Sequence, residues 1–486
     1  MKFLPLFAIL FALFPLTDTD IWWHLACSRE WVTTWTPVRG PVVNVHEYFQ
    51  QIVGAVYSIG GAPLLVVFKA VLWGMVFALF LWPSHLRKKN MGDVRWAPVA
   101  FLLCTFVLFL FRFQMEIRPV VFSLLFLGVY WNVLPWLFGR FSDSGGTVRE
   151  LLKTWGVTVL LFALQWLWCK FQGLYILGPL FALLCAGHAI WIARKNVPVK
   201  NGRKVLLLVA LFVVLLFAMP FLHSEGLALF LYPFGLLDRL LGITPSAAVF
   251  ASEIAENRSP FTLLLAGENI LQSCVMVFLS LAGVAIAVLK LVRDRKDIVL
   301  YTTLLVTSVM ALVAERNFVL FLPVLMFFIP HFSFHIPHPT SHIKLSLLIS
   351  IALLGFWARS ASVYDSWVAY QRVPVGAAEW MKAHPHVGRL FNDDRAGGYL
   401  AFVNPEDSVY IDGRFILKTA DFFERYLHYA ADPGLFLSDA DSLGVDRAIF
   451  PLRYYARWGK LLGVLDRNSR WEKCYADGYY IVFCKK

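Results

Sequence analysis

The sequence of 486 residues is poor in charge. Only 16% of its residues are Asp, Glu, Lys or Arg, whereas soluble domains contain about 25%. Hydrophobic residues make up 59% of the chain, and the mean hydropathy is +0.64. This composition argues against a water-soluble globular enzyme, and it excludes disordered, collagen-like and coiled-coil proteins. It predicts a polytopic α-helical membrane protein.

The sequence also lacks the short motifs that mark common catalytic folds. It contains no Gly-x-Gly-x-x-Gly fingerprint, no phosphate-binding loop of the P-loop type and no Gly-x-Ser-x-Gly nucleophile elbow. No His-Glu-x-x-His zinc motif and no Cys-x-x-Cys pair occurs either. Nucleotide-binding folds and standard hydrolases therefore have no support from the sequence.

Eleven apolar segments are candidates for membrane-spanning helices, which need about 17–25 residues to cross a hydrocarbon core of about 30 Å. No small-residue cleavage site follows the first segment, so we expect an uncleaved helix rather than a signal peptide. The second segment is long enough to tilt or break. The predicted spans are 3–16, 53–83, 97–111, 119–138, 154–169, 173–192, 205–222, 263–289, 298–314, 318–330 and 344–357.

Lys and Arg are unevenly distributed between the loops on the two sides. The loops 84–96, 139–153, 193–204 and 290–297 carry about twice as many as the opposite loops, and such an excess marks the cytoplasmic side. The predicted orientation has the N-terminus inside and residues 358–486 outside. The formal charge of +12 is then partly a topology signal, so nucleic acid is not an expected partner.

The segment 358–486 has a different character. It holds half of the acidic residues of the chain, and its pattern is typical of short alternating strands and helices. An Asp477-Gly478 pair between β-rich flanks predicts a hairpin. We therefore divide the chain into a transmembrane core, 1–357, with an outer loop, 17–52, and an extracytoplasmic α/β domain. The other predicted strands of this domain are 389–392, 408–411 and 448–450.

The outer loop is rich in possible catalytic side chains. Asp18 and Asp20 follow the first span directly, and His24 and Glu47 come later in the same loop. Asp20 and His24 are four residues apart, so a helix would place them on one face. Carboxylates here can activate a hydroxyl as a general base or hold a divalent metal. The alternatives are that Asp20 caps a helix and that His24 lies on the polar edge of an interfacial helix.

Two short outer loops at helix ends carry cations. Arg118 opens one span, and Glu315, Arg316 and Asn317 form a second tight loop. An Arg side chain presents a planar fork of donors that suits phosphate, so these residues could hold the phosphate of a membrane lipid. The alternative is that the arginines extend toward water or pair with the nearby Glu116 and Glu315.

Two further groups of charged residues could contact a ligand. Glu253 and Glu256 are three residues apart and would share one helical face, where they could contact sugar hydroxyls or a metal. A solvated helix face is the commoner explanation for such a pair. In the terminal domain, Arg414 follows the turn residues Asp412 and Gly413 after a predicted strand, and it could reach a ligand at the membrane surface.

The order of these motifs resembles that of a group of bacterial GT-C-type membrane glycosyltransferases that depend on polyprenyl-phosphate-linked sugars. The resemblance extends over nearly the whole chain, although each motif alone is short. The segments that carry it are Asp18 to Ala26, Arg118-Pro119, Trp168 to Gly173, Glu315-Arg316-Asn317, Asn392 to Leu400 and Ile411-Asp412-Gly413-Arg414.

The resemblance implies a GT-C-like helical core in the bacterial cytoplasmic (inner) membrane. It implies transfer of a sugar from a polyprenyl-phosphate-linked donor to a glycan, lipid or protein acceptor on the outer face, among the membrane lipids. In such proteins an acid of the first outer loop, here Asp18 or Asp20, is the base or the ligand of a divalent metal such as Mg²⁺ or Mn²⁺.

The sequence thus predicts a membrane glycosyltransferase whose catalytic residues are Asp18 and Asp20. The alternatives are a transporter of lipid-linked sugars or small solutes, and a non-catalytic scaffold in cell-envelope assembly. The predicted substrate-binding residues are His24, Glu47, Arg118, Glu315, Arg316, Asn317 and Arg414.

Overall fold

The computed structural model describes residues 3–40, 42–81, 97–143, 154–196, 199–293, 297–329, 339–361, 366–453 and 456–486. Most of these residues are helical, and one four-stranded sheet lies near the C-terminus. Of the charged loops on which the predicted orientation depends, 84–96 and most of 139–153 fall outside these ranges, whereas most of 193–204 and half of 290–297 are helical.

The helical part of the described chain extends to residue 361. Its apolar helices pack around one continuous core, to which the first helices and the terminal domain both contribute. The α-helices are α1 (Leu4–Ala12), α2 (Asp20–Arg29), α3 (Glu47–Leu81), α4 (Ala97–Leu110), α5 (Val120–Asp143), α6 (Trp155–Trp168), α7 (Leu177–Asn196), α8 (Val199–Ala218), α9 (Gly226–Leu241), α10 (Pro245–Glu253), α11 (Pro260–Leu265), α12 (Ile270–Arg293), α13 (Ile298–Val313), α14 (Phe318–Phe328) and α15 (Pro339–Ala361).

All eleven predicted spans overlap with helices, and the apolar helices make the chain an integral membrane protein. Within the described ranges, four helical segments are long and apolar enough to cross a membrane. A fifth is possible if the end of α8 and α9, which meet at 106°, form one bent span. The number of eleven stays a prediction. The four segments are Glu47–Leu81, Val120–Gly139, Gly173–Ile192 and Ile270–Arg293.

Helix α3 is broken near its middle, as the length of its apolar segment suggested. Gly60 and Gly61 leave the helical conformation, and Gly61 has a φ of 60°, which glycine adopts without the steric cost of a Cβ atom. Pro63 follows, so the second half of the helix starts afresh. The first half packs against α2, which places α2 beside the polar end of the helical core.

The terminal domain contains a mixed sheet with the strand order β1-β2-β4-β3. Strands β1 and β2 are parallel, and β4 is antiparallel to both β2 and β3. The predicted strands 389–392 and 448–450 and the predicted hairpin are present. The elements are α16 (Val375–Ala383), β1 (Arg389–Asn392), α17 (Asp394–Val403), α18 (Ala420–Ala431), α19 (Pro433–Ser442), β2 (Val445–Pro451), α20 (Gly459–Leu465), β3 (Trp471–Ala476) and β4 (Tyr480–Lys485).

The strand predicted at 408–411 is wrong. The segment is buried, but side chains and the backbone of the outer loop, rather than a neighbouring strand, satisfy its polar groups; the Trp35 N–H donates to the Val409 carbonyl at 3.1 Å. The Asn392 amide donates to the Ile411 carbonyl at 2.7 Å and accepts from the Tyr410 N–H at 2.7 Å. Because buried polar groups only need partners, an apolar stretch here can stay extended without joining the sheet.

The terminal domain packs directly on the outer loop. Helix α17 lies against α2, and a Cβ atom on Gly398 would lie only 3.1 Å from the Trp23 nitrogen. The rings of Trp22 and Tyr399 meet edge to face, with centroids 4.8 Å apart. A small residue at Gly398 therefore lets two helices from opposite ends of the chain approach closely, and α2 lies between the two parts of the protein.

Gly397 tests how this packing is maintained. A Cβ atom there would lie 1.8 Å from the Ile411 carbonyl oxygen and 2.7 Å from the Asn392 side-chain nitrogen. We expect G397A to lower the free energy of unfolding by about 1–3 kcal/mol or more, because a buried backbone group must shift. G459A is the control, since no atom lies within 4 Å of that position. Equal melting temperatures for the two variants would contradict this packing.

Candidate functional site

Arg118, two residues before α5, is the centre of a network of charged side chains. Its Nε atom donates to Asp18 Oδ2 at 2.8 Å, and its Nη2 atom donates to Asp18 Oδ1 at 2.9 Å. The Asp18 side chain is only 3% exposed. A bidentate pair of this kind is stronger and more directional than a single charged hydrogen bond. It fixes the segment between α1 and α2 to the start of α5.

Glu256 binds the same guanidinium from another part of the chain. Arg118 Nη1 donates to Glu256 Oε2, and Nη2 donates to Oε1, both at 2.8 Å. Burial alone would raise the pKa of Glu256, but Arg118, together with Arg316 and Arg372, lowers it to about 2. Both carboxylates of the cluster are therefore held against the guanidinium, and the trio of Arg118, Asp18 and Glu256 carries a net charge of −1.

A second ionic group lies next to this cluster. Glu116 accepts a hydrogen bond from Thr17 and pairs with Lys69 at 3.6 Å. The Trp73 indole donates to the Glu116 backbone carbonyl at 3.0 Å. The alternative that Arg118 pairs with its near neighbour Glu116 is thus not what the structure shows. Glu116 instead anchors the loop to α3, which leaves Arg118 for the two more distant acids.

Asp20 is the first residue of α2, and its carboxylate faces the terminal domain. Thr19 is the N-cap residue, without a side-chain cap bond, so the alternative that Asp20 caps the helix is wrong. A Cβ atom on Gly413 would lie 2.0 Å from Asp20 Oδ1. Burial and then the charge of Asp18 raise the pKa of Asp20 to about 7. Within the described part of the chain, Asp20 forms no ion pair with a cation.

His24 lies one turn after Asp20 but is buried among rings. Its ring centroid is 5.2 Å from that of His46 and 4.7 Å from that of Phe49. Burial, followed by the repulsion of His46, lowers the pKa of His24 well below its usual range. Burial likewise lowers the pKa of His46 to about 4. Both imidazoles are therefore neutral at pH 7, and the polar edge proposed for His24 is wrong because the side chain is enclosed.

Glu47 belongs to a different group of charges. It pairs with Lys170 Nζ at 3.0 Å, and Lys170 also binds Glu225. These contacts join the start of α3 to the loop after α6 and to the start of α9. Glu47 therefore serves a neighbouring contact between loops, and its carboxylate is not directed at Arg118.

The tight turn before α14 brings Arg316 to the edge of the network. Arg316 is exposed, and its Nη1 atom donates to Asn257 Oδ1 at 3.1 Å. Glu315 is half-buried, and burial with the nearby charge of Glu256 raises its pKa to about 7. The Asn317 amide donates to the Met310 carbonyl at 3.0 Å. Of these three, Arg316 is the one that presents an open charged group to the surface.

Arg414 connects the terminal domain to the outer loop. Its Nε atom donates to both oxygens of Asp412, at 3.0 and 3.1 Å, and its Nη2 atom donates to the Val32 carbonyl at 3.0 Å. The guanidinium also lies over the Trp31 ring, 5.0 Å from the centroid. It is 5% exposed. These contacts position Gly413 against Asp20.

The sequence pattern did not indicate the roles of two residues near this network, Glu256 and Arg372. Glu256 was paired with Glu253 by spacing, but α10 ends at Glu253, whose side chain is exposed, and a short 3₁₀ turn directs Glu256 to Arg118. Arg372 carries no motif, yet its Nε atom donates to the Thr17 carbonyl at 3.2 Å. Only the fold brings these residues to the first outer loop.

The described residues do not fit the divalent metal that the resemblance implies. Among them, no group of three or more His, Cys, Asp or Glu side chains is arranged to hold a metal ion. All four carboxylate oxygens of Asp18 and Glu256 accept hydrogen bonds from Arg118. Mg²⁺ demands oxygen ligands at about 2.0–2.1 Å, which these oxygens cannot supply while they bind the guanidinium.

A cavity of about 220 Å³ lies on another side of α2. Ser28, Arg29, Gln51 and Phe402 are among its lining residues, and Arg29 stacks on the Phe402 ring at 4.2 Å. None of the predicted catalytic or substrate-binding residues lines it. The charged network and this cavity are therefore separate features of the outer loop.

The fold is similar to those of solved oligosaccharyltransferases from Archaeoglobus fulgidus. Archaeal oligosaccharyltransferase AglB in complex with an inhibitory peptide and a dolichol-phosphate has a TM-score of 0.52 at 13% identity, over 98% of this chain and 73% of that chain. The complex with Zn and sulfate gives 0.53 at 13% identity, over 99% and 73%. The enzyme tethered to an acceptor peptide with the NVT sequon gives 0.56 at 12% identity, over 99% and 74%.

No known family model matches the sequence, and neither does any curated protein. The identities to the solved structures are low, so the likeness is one of fold. The chain is an integral membrane protein with a GT-C-type, oligosaccharyltransferase-like fold and a small C-terminal sheet. The prediction of a GT-C-like helical protein with a terminal α/β region is confirmed at that level.

The bond between Arg118 and Asp18 is testable by a double-mutant cycle. We expect R118M and D18N to lower the melting temperature singly, because each leaves a charged or polar partner unsatisfied in a buried site. The free energy of unfolding that the double variant loses should be smaller than the sum of the two single losses. The difference, which is the coupling energy, should be about 0.5–3 kcal/mol. Strictly additive losses in purified, detergent-solubilised protein would contradict the network. R425M, which removes an ion pair with Asp439 at the far side of the terminal domain, should show no coupling with D18N.

Proposed function

We propose that the chain is a glycosyltransferase that moves a sugar from a polyprenyl-phosphate carrier to an acceptor on the outer face of the bacterial cytoplasmic membrane. The observation that carries this proposal is Asp20, a carboxyl with a pKa of about 7 beside an arginine already neutralised by two other acids. A general base works best when its pKa is near the working pH. The GT-C-type fold agrees with this chemistry.

In this proposal, Asp20 takes the proton from the acceptor group that attacks the sugar. The acceptor atom forms a bond to the anomeric carbon, and the bond from that carbon to the carrier phosphate breaks. Asp18 has a different role, because Arg118 holds both of its oxygens. It is a positioning residue that fixes the guanidinium, while Asp20 is the catalytic base.

The leaving phosphate requires positive charge that is not already used. Arg316 meets this requirement, since it is exposed and bonded to the neutral Asn257 amide. Arg118 uses four of its five N–H groups on carboxylates, so one remains for a substrate oxygen. Fixed donors of this kind, aimed where charge develops, typically contribute about 10²–10³ in rate each.

The similar solved structures indicate the class of ligands. Their names describe a dolichol-phosphate, an inhibitory peptide and a tethered acceptor peptide. A lipid-phosphate donor suits this chain as well, because the network lies at the ends of apolar helices where a lipid headgroup would arrive. The acceptor is a glycan, a lipid or a protein.

We infer from the charge bias of the loops that the terminal domain is extracytoplasmic, as in a periplasmic domain of the cell envelope.

The titration of Asp20 gives a pH profile. Since its pKa is raised to about 7, the carboxyl is protonated below that pH and cannot accept a proton there. We expect sugar transfer to rise through pH 7 and to be about tenfold lower at pH 6 than at the plateau. D20N should lose about 10²–10⁴ in transfer at every pH.

The control for this profile is Glu315, whose pKa is also about 7. In E315Q the midpoint of the profile near pH 7 should persist, because Asp20 still titrates. Transfer is measured with a radiolabelled polyprenyl-phosphate sugar in membranes that contain equal amounts of each variant. Full transfer by D20N, a wild-type profile with no midpoint near pH 7, or a midpoint that disappears in E315Q would each refute the role of Asp20.

Gly413 provides a test that leaves every charge in place. A Cβ atom there would lie 2.0 Å from Asp20 Oδ1, so the carboxylate must turn away. We expect G413A to fold, because the displaced atom is the end of a flexible side chain, and to lose at least about tenfold in transfer. G463A meets no atom closer than 3.8 Å and should retain transfer. Equal activities of the two variants would argue against the placement of Asp20.

A further inference from the structure

Arg118 forms one cationic centre between two carboxylates that come from distant parts of the chain. Its guanidinium donates to all four oxygens of Asp18 and Glu256, at 2.8–2.9 Å. We propose that Arg118 takes the place of a divalent cation in this site. Sugar transfer then requires no metal ion. The carboxylates of Asp18 and Glu256 bind a metal ion only when the guanidinium is removed.

The two kinds of cation exclude each other by geometry. A guanidinium holds a carboxylate oxygen at a nitrogen-to-oxygen distance of about 2.8 Å, whereas Mg²⁺ holds its oxygen ligands at about 2.0–2.1 Å and Ca²⁺ at about 2.3–2.6 Å. Asp18 is buried, and its backbone lies next to α2. Each Asp18 oxygen is already directed at one Arg118 nitrogen, so a metal would have to displace the arginine.

The balance of charge favours the same conclusion. One arginine and two carboxylates leave a net charge of −1, and Arg316 and Arg372 lie close enough to act on Glu256. Arg372 is fixed by its bond to the Thr17 carbonyl. Three arginines, Arg118, Arg316 and Arg372, therefore already act on Glu256. When Arg118 is removed, the carboxylates lose their main counter-charge, and a divalent ion restores it.

The inference deepens the proposed function, since it concerns the cation of the same site, but its main test does not need the enzyme to be active. Mn²⁺ binding to the full-length protein in detergent is measured by the loss of the free-ion signal in electron paramagnetic resonance. We expect no saturable Mn²⁺ binding to the wild type below about 1 mM. R118M should bind one Mn²⁺ with a dissociation constant at least tenfold below that limit of about 1 mM. Adding D18N or E256Q to R118M should abolish that binding.

R425M is the matched control, because it also removes a bidentate arginine, but from a single carboxylate, Asp439. It should not gain Mn²⁺ binding. If R118M fails to reach the membrane, R118Q gives the same test. One equivalent of Mn²⁺ bound by the wild type and lost in D18N would overturn the inference. Absence of binding in both R118M and R118Q would also overturn it.

Sugar transfer separates this inference from the proposed function. Transfer that is unchanged in excess EDTA supports both. Transfer that stops in EDTA and returns with Mn²⁺ would overturn the role of Arg118 while the glycosyltransferase stands. If no transfer is found under any condition, the proposed function fails, and Mn²⁺ binding by R118M still decides what Arg118 replaces.

Discussion

The double bidentate contact of Arg118 with Asp18 and Glu256 is the interaction on which the site depends. It joins the start of α5 to the segment after α1 and to the turn after α10. Asp18 is 100 residues from Arg118 along the chain, and Glu256 is 138 residues from it. Two carboxylates near the ends of apolar helices would repel each other without it. Since one guanidinium satisfies both, the polar ends of the helices can meet. Asp20 is left beside them without an ion pair among the residues that the structure describes.

The terminal domain completes the surroundings of Asp20. Buried Arg414 fixes the turn at Gly413, and the absence of a side chain at Gly413 makes room for the Asp20 carboxylate. Burial there shifts the pKa toward neutrality, which a solvated carboxylate would not show. The helical part and the sheet domain therefore each supply one half of the environment that would make Asp20 a base.

The sequence predicted those features that depend on neighbouring residues. Apolar segments became helices, and the long segment at α3 broke at Gly60 and Gly61. Features that depend on distant partners were beyond its reach. The role of Glu256 requires an arginine 138 residues away, and the extended segment at 408–411 is satisfied by the Asn392 side chain rather than a strand. His24 could be placed on a helix, but its enclosure by His46 and Phe49 needed the fold.

We expect a lipid-linked sugar to bind between Asp20 and Arg316, with Arg118 still held by its two acids. A structure of the protein in a nanodisc with a polyprenyl-phosphate sugar tests it most directly. Such a structure should show phosphate density at Arg316, the sugar directed to Asp20, and Arg118 bonded to Asp18 and Glu256 as before. Lipid phosphate in the cavity beside Arg29 and Phe402 instead, with the space near Asp20 filled by protein, would contradict it.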